Sequence, residues 1–591
     1  MNGRRKELML AVIISIASYC LVHGQIPSPP SNLQSPNVAS LGLYGNYPVS
    51  YFTGLPQISI PLYNVKSGNL SVPITLNYHA AGIRPDEHPG WVGMGWNLES
   101  GGVISRTVND MPDDYNNPNN PFGSNAGFYF NYNVLNTSNW NQIVYMHSVT
   151  SGELMYKDTE PDEFSFSLPS GTNGKFYRTH TGDWKVRCEK PVKVSFNNTF
   201  LNVPYTPPYT TEIFPSFSGF TITDENGVQY VFGGVINAIE YSIPLFNQNE
   251  GVWIANSWYL TKIIHPHGDE ISFQYTRDSF IDQMFISVNN DLGTRTVSSG
   301  GSNPVCYSDG HRDLGASYFG TLISPVYLTT IINGKEQINF QRSNTTELRY
   351  AQSLYDWQYS QWQIYTSSRY YSLLPFLEDH DWSTYPTCLD KLQWKQLDQI
   401  RIEVDGTLQK AFDFGYSSSN SQRLTLLSLT ERGKDNGLLK PYAFTYNTSQ
   451  TLPAYLANKN DHWGFYNGTY ADISNQGTYY NTYYNYRNPN ASYLQAGTIS
   501  RIIYPTGGVT DFTFEPHYYR KQLQGQRELV PVTLSSNTLA GGLRIRKISS
   551  YDPEHSEQKV EKEYFYVEGY TNAANVSSLQ SSGILGGQIK Y

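Results

Sequence analysis

Charge is scarce in this chain: Asp, Glu, Lys and Arg supply 15% of its 591 residues, against about a quarter in an ordinary globular protein. Cysteine is rarer still, with four residues in all. The Ala, Glu, Lys and Leu at helical spacing that a coiled coil or helical bundle requires are missing, which excludes those classes. Positive charge is in deficit, with 41 basic residues against 50 acidic ones and a formal net charge of -9. No global positive field is available for phosphate, so nucleic acid is not an expected partner. Tyrosine is what the chain has in excess. The 48 Tyr, 27 Phe and 11 Trp supply 15% of the residues, and 48 Gly and 33 Pro are spread among them. So many aromatic and β-branched side chains can fill a core, which excludes disorder. The length suits several domains or one large β assembly.

The first residues read as a targeting segment. Arg4, Arg5 and Lys6 precede an apolar run from Leu8 to Val22, and Gly24 places a small residue before Gln25. This order is that of a secretory signal peptide, residues 1–24, with cleavage after Gly24. The run is shorter than the span of about 20 apolar residues that a membrane helix requires. Tyr19 stands before Cys20 where a lipoprotein site needs a small residue. No later stretch is apolar enough to cross a bilayer, so no transmembrane span is expected after cleavage. Secretion or display at the cell surface follows.

Cleavage would leave Cys188, Cys306 and Cys388, without CxxC spacing. They form no disulfide scaffold and no zinc-type motif. One bridge, Cys306 to Cys388, and three buried thiols remain equal alternatives. Asn136, Asn447 and Asn467 begin Asn-x-Ser/Thr sites, as chance allows in a chain this rich in Asn, Ser and Thr.

The organisation is a succession of hairpins. Residues 25–40 form a polar leader. Residues 41–110 are an amino-terminal β domain, in which Ile58, Ile60 and Leu62 alternate with polar or turn residues. Leu70, Val72, Ile74, Leu76 and Tyr78 do the same after a turn at Asn64 to Asn69. Period-two patterning of this length predicts a half-buried strand. Pro73 lacks an N–H and predicts an edge or a bulge there. Residues 111–250 are β-rich: Phe164, Phe166 and Leu168 alternate before Pro169-Ser170-Gly171. Asn226-Gly227 joins Phe220 and Ile222 to Val228, Tyr230 and Phe232. Residues 251–450 continue with Ile271, Phe273 and Tyr275, then Ile400, Ile402 and Val404, then Phe412, Phe414 and Tyr416. An irregular insertion near 351–395 interrupts them, and 351–378 is the best place for a short helix. Residues 451–591 hold a Tyr-rich ordered loop at 470–493 and late strands at Leu543 to Ile548 and Tyr564 to Val567. The fold class is all-β: antiparallel hairpins in a large wall or shell, with little helix.

One unit occurs twice. Ile263-Ile264-His265-Pro266-His267-Gly268 leads into Ile271-Ser272-Phe273, and Ile502-Ile503-Tyr504-Pro505-Thr506-Gly507 leads into Thr510-Asp511-Phe512. Each is a strand, a Pro-x-Gly turn and a returning strand. Stacked hairpins of this kind build solenoids and strand-wound shells.

These units resemble the YD (RHS) repeats of exported bacterial proteins. The resemblance strengthens at Gly54-Leu55-Pro56-Gln57-Ile58-Ser59-Ile60-Pro61-Leu62, at Ala81-Gly82-Ile83, at Gly90-Trp91-Val92-Gly93-Met94-Gly95-Trp96-Asn97-Leu98, and at Gly101-Gly102-Val103-Ile104-Ser105-Arg106. Those blocks are similar to the region that precedes RHS repeats, and to the start of B-type subunits of insecticidal toxin complexes. Ser257 to Lys262 and Asp461 to Gly468 look like further blocks. The resemblance touches blocks from about residue 40 to 550 and implies a hollow β shell around a carboxy-terminal effector. The family would continue into more repeats and a variable tail beyond Tyr591. Nothing here matches its carboxy-terminal core or self-cleaving aspartates, so a fragment or a shortened relative is expected.

Candidate chemistry is sparse. Gly93, Gly95, Gly101 and Gly102 resemble a phosphate loop, but no Lys-Ser/Thr and no helix follows, so close backbone approach beside Trp91 and Trp96 explains them. His265, His267 and Asp269 could hold a metal on one strand face. The second copy has Tyr504, Thr506 and Gly508 there, so turn formation is the better reading. Asp86-Glu87-His88 and Asp113-Asp114 offer carboxylates for acid–base work, although such groups are mostly solvated. Trp463, Tyr466 and the Tyr479 to Tyr486 cluster could platform sugars, or pack their rings in a β wall. No residue is therefore expected to be catalytic, cofactor-binding or metal-binding, no cofactor is expected, and the ligand-binding residues are unassigned.

The function that follows is a secreted, non-enzymatic structural protein, the amino-terminal part of an RHS-type shell in toxin packaging or cell-surface interaction. Its partner would be a downstream RHS-repeat or toxin segment, in cis or as a separate chain. A surface glycan-binding module and a secreted glycan hydrolase are the alternatives. A wall that stops early would expose strand edges, so the 25–591 chain is expected to associate.

Overall fold

The computed structural model describes residues 47–116, 125–135, 157–204, 215–245, 252–291, 295–297, 305–307, 313–356, 387–417, 419–471, 480–524 and 530–587. The signal peptide, the polar leader, Asn136 and the side chains of Cys306 and Cys388 lie outside the described residues. Within them the architecture is the expected all-β arrangement of antiparallel hairpins, with short helices such as Phe128–Asn131 and Tyr480–Tyr486.

Alternation becomes strand at once. Ile58–Ser67 and Leu70–Tyr78 pair antiparallel, and Trp96–Glu99 joins the far side of the second. Leu70, Val72, Ile74, Leu76 and Tyr78 all point inward. The turn is tighter than Asn64 to Asn69: Ser67 pairs with Leu70, leaving Gly68 at φ +53° and Asn69 to connect them. Pro73 sits in the central strand rather than an edge strand. The third strand reaches back only to Thr75, so one flank of the strand is open at Pro73, where a residue without an N–H is tolerated.

The long strand Ile254–Ile264 is the node of the molecule. Its carboxy-terminal half pairs with Gln229–Gly233 on one side and Glu270–Arg277 on the other. Its amino-terminal half pairs with Ile239–Pro244 and Val103–Thr107. One strand thus belongs to two sheets. From Val103–Thr107 the ladder continues through Glu163–Ser167, Asn173–Arg178 and Trp184–Cys188. Lys193–Ser195 then lies beside Trp184–Cys188 and pairs with Gly219–Thr223, which returns through Gln229–Gly233 to the node. This ring is filled with aromatic side chains: Phe164, Phe176, Phe217, Phe220 and Trp258 are buried, and their centroids lie 5.0–6.1 Å apart. Trp258 Nε1 donates to Phe217 O at 2.8 Å, so the indole is buried with its polar atom satisfied.

The other direction is a wall. From Glu270–Arg277 each strand pairs with the next in line: Val326–Asn333, Glu336–Asn344, Lys395–Val404, Thr407–Ser417, Thr425–Arg432, Tyr442–Tyr446, Ile499–Ile503, Val509–Gln522, Val532–Tyr551 and Val560–Glu563. Two long excursions interrupt this meander, 345–394 and 447–498. The first begins with a helical turn at 352–356, where a short helix was expected, and then leaves the described residues. The second contains the helix Tyr480–Tyr486 inside the stretch expected to be loop. The meander's final antiparallel strand lies at Val560–Glu563, and Val567 makes only a single bridge to Ser581, so the expected strand at Tyr564 to Val567 is displaced towards the amino terminus. Beyond it the short strand Ile584–Leu585 pairs parallel with Val509–Gln522.

A single turn geometry recurs at six hairpins. The N–H of the first residue bonds to the carbonyl four positions on, and the N–H of the fourth residue bonds back to the first, at Leu168–Thr172, Thr179–Asp183, Asp224–Val228, His265–Asp269, Gly433–Gly437 and Tyr504–Gly508. The fourth residue has positive φ each time: Gly171, Gly182, Gly227, Gly268, Asn436 and Gly507. This is a three-residue loop ending in a left-handed residue. At the Asn226-Gly227 hairpin only Gly227 takes positive φ. The two copies read from the sequence at His265 and Tyr504 are geometrically the same.

The small amino-terminal sheet covers the wall. At one end Ile545 N donates to Gly54 O at 2.8 Å and Leu543 N to Ala81 O at 2.8 Å. At the other end Tyr63 bonds to Glu336, and Asn333 to the carbonyl of Lys66. Nine wall strands at about 4.8 Å spacing are about 38 Å across, close to the about 33 Å of a ten-residue strand. The cover strands therefore run across the wall, an orthogonal packing of two sheets. Tyr78, Trp96, Phe444 and Tyr446 interlock between the layers.

Candidate functional site

Most of the candidates weighed from the sequence are packed into the architecture. Gly93 and Gly95 have φ of +93° and +77°, and a Cβ on Gly95 would sit 2.5 Å from the Tyr78 ring. A Cβ on Gly102 would meet Ser167 O at 2.7 Å. These glycines permit close approach to neighbouring rings and strands. At the His265 turn, the His265 Nδ1 accepts the N–H of His267 at 3.2 Å, a bond within the turn itself.

Asp86, Glu87 and His88 diverge. Asp86 is held by Leu456 N at 2.9 Å and Asn460 Nδ2 at 2.7 Å. Glu87 faces solvent beside Arg84 at 3.0 Å. His88 is stacked between Trp394 and Tyr455, with centroids 4.5 and 5.3 Å away. Burial, then Arg423 and Arg349, push its pKa down to about 4. A neutral imidazole packed as an aromatic plate is what that environment favours.

Asp113 and Asp114 belong to a buried ion cluster whose other members the sequence reading missed. Arg106 Nε donates to Asp162 Oδ2 at 2.7 Å, and its Nη2 to Asp114 Oδ1 at 2.8 Å. Asp113 and Asp162 exchange backbone N–H to carboxylate bonds of 2.8 and 2.9 Å. Asp114 Oδ2 also accepts Phe217 N at 2.7 Å. The guanidinium lies over Phe164, Phe217 and Trp258. Burial and then the Asp162 charge hold Asp113 well above the carboxylate range, and burial pushes nearby Asp158 up to about 7. Among the described residues one cation faces four acids, and burial with like charge favours the protonated form of Asp113. Its place on the floor of the aromatic ring makes it a structural tie.

Tyr479 and the side chain of Tyr480 lie outside the described residues, and the other aromatic candidates are packed into the fold. Tyr466 and Tyr483 are buried. Asp461 Oδ1 accepts the N–H groups of Trp463 and Phe465 at 2.8 and 2.9 Å, folding the Asp461 to Gly468 block on itself. Asn467 is fully buried, its amide donating to Tyr486 O and Asn488 O, which closes it to glycosylation. Asn447 accepts from the Ser449 N–H and hydroxyl. Cys188 is a free thiol, half-buried, donating to Asn173 O.

A cleft that the sequence did not point to lies where the two sheets diverge from the node. Its volume is about 730 Å³. One side is the outer face of the node strand and its neighbours, with Glu240, Ser257 and Tyr259. The other is the wall, with Tyr275, Tyr327 and Trp394, and the Asn97 to Gly102 ribbon closes one end. Tyr259 OH faces Glu240 Oε2 at 3.4 Å. Burial pushes the Glu240 carboxyl up to about 7, opposed by the Tyr259 hydrogen bond and Arg277. These residues sit on period-two strands at positions opposite the core, a pattern that sequence alone equates with solvent.

No family model matches the chain, and no curated protein matches it. Among solved structures it is similar to the TcdB2–TccC3 crystal structure at 14% identity, over 68% of this chain and 16% of that chain, with a TM-score of 0.30. It is similar to the Photorhabdus luminescens Tc holotoxin pore at 12% identity, over 66% and 16%, with a TM-score of 0.29. The N-terminal domain of effector protein SpvB from Salmonella typhimurium strain LT2 gives 12%, 64% of this chain, 98% of that chain and 0.26. The chain thus spans about a sixth of the length of the first two. At these scores, any assignment of this chain to a family rests on its own sequence blocks.

Proposed function

We propose that this chain is a non-enzymatic structural protein, a section of an RHS-type strand-wound wall that serves toxin packaging or cell-surface interaction. The use to which the family-like blocks are put carries this reading. Gly54 to Leu62, Leu70 to Tyr78 and Gly90 to Leu98 form the sheet that lies across the wall and the loop that pins it there, with Met94 N donating to Leu424 O at 2.8 Å. Ser257 to Lys262 lies in the strand shared by both sheets, and Asp461 to Gly468 ties one excursion of the wall together. Each block does architecture. Export through residues 1–24 delivers the wall outside the cell, and a further RHS-repeat or toxin segment, in cis or as a separate chain, is its partner.

Protease digestion of the exported chain with its co-purifying protein tests this. A toxin segment that resists digestion until the wall is denatured is the expected result. A monodisperse monomer that neither protects nor binds added repeats would overturn it and favour a surface glycan-binding module.

A further inference from the structure

Packed seams between β sheets are normally filled by side chains at near-crystalline density, yet the cleft beside the node strand remains open at about 730 Å³. That volume lies within the range of small-molecule sites, about 300–1,000 Å³. Its walls combine two kinds of surface. Trp91, Tyr259, Tyr275, Tyr327 and Trp394 supply aromatic area. Asn97, Ser100, Ser105, Ser167 and Ser257 supply polar groups, and none of these five side chains has a hydrogen-bond partner within the described residues.

We propose that this cleft binds a neutral sugar of mono- to disaccharide size. The charged groups of the cleft are already engaged. Glu99 accepts from Asn77 at 3.2 Å, Glu240 faces the Tyr259 hydroxyl at 3.4 Å, and Lys395 donates to Asn344 at 2.5 Å. What remains is four hydroxyls and one amide, each able both to donate and to accept. A cation could satisfy only their acceptor side and an anion only their donor side. A polyol satisfies both, and the apolar face of a pyranose ring matches the flat aromatic walls. This proposal is independent of the wall reading, since a wall section with an empty cleft is still a wall section.

The test is titration of the exported full chain with lactose, cellobiose, maltose and N,N′-diacetylchitobiose, followed by calorimetry and by the fluorescence of Trp91 and Trp394. One of these sugars is expected to bind one to one with a dissociation constant of about 1 mM or tighter. Ser105 is exposed to the cleft, so Ser105→Trp fills it without entering the core and should weaken binding about tenfold or more. Asn97→Leu, at another exposed position, removes the amide without adding bulk and should weaken it as well, with both variants melting as the parent does. No heat and no fluorescence change with any sugar would overturn the proposal. So would binding unaltered by Ser105→Trp, or binding of tetramethylammonium in place of the sugars.

Discussion

The hydroxyl of Tyr78 accepts the backbone N–H of Ile499 at 3.0 Å across 421 positions of sequence. Tyr78 ends the central strand of the cover sheet, and Ile499 begins a strand of the wall. Both are buried, so Tyr78→Phe leaves an N–H without a partner in the seam between layers. A loss of about 1–3 kcal/mol is expected, measured by chemical denaturation with the slope unchanged.

Among the described residues, Arg106 is the sole cation of its buried cluster. Removing it in Arg106→Met leaves Asp114 and Asp162 without their main partner on the aromatic floor. Breaking one side of such a buried pair costs about 3–5 kcal/mol. The variant should unfold at lower denaturant than the parent, and a matching midpoint would refute the structural role given to the cluster.

His88 gives an acid dependence of known sign. In the unfolded chain it takes up a proton near 6.5, and in the folded chain only at about 4. Between those values the unfolded state binds more protons, so this residue's contribution to stability is full above 6.5 and is lost as pH falls towards 4. Comparison of the parent with His88→Phe should show a stability difference that changes across that window and is flat above it.

Glu240 works in the opposite direction. Its folded pKa is raised to about 7 from an ordinary 4.5, so its contribution is full below 4.5 and is lost as pH rises through 7. Glu240→Gln should therefore gain stability over the parent above pH 7 and lose that gain below 4.5. Thermal melts across the range provide the measurement.

The antiparallel run of the wall reaches an edge at Val560–Glu563, four residues of which Glu561, Lys562 and Glu563 are charged. Short, charged edges resist pairing with other chains. Changing the three to Val should promote association, read by sedimentation, and adding a downstream repeat product should suppress it.

Amino-terminal sequencing of exported protein should begin at Gln25. Membrane-bound material still carrying Met1 would contradict the signal-peptide reading.

The sequence by itself determined the strands and many of their turns. Alternation at Leu70 to Tyr78, Phe220 to Phe232 and Ile400 to Tyr416 became hairpins because a side-chain period of two allows only one face to be buried. Gly268 and Gly507 marked equivalent turns because a left-handed fourth residue is needed there. Tertiary structure alone decided how the hairpins meet. Nothing local distinguishes the node strand Ile254–Ile264 from its neighbours, because membership of two sheets depends on partners more than a hundred residues away, such as Val103–Thr107. Asp113 and Asp114 looked like surface acids until Arg106, Asp158 and Asp162 were brought beside them. The cleft escaped for the same reason: Glu240 and Ser105 lie on the outward-facing positions of their strands, and only the approach of the wall turns that outer face into one side of a cleft.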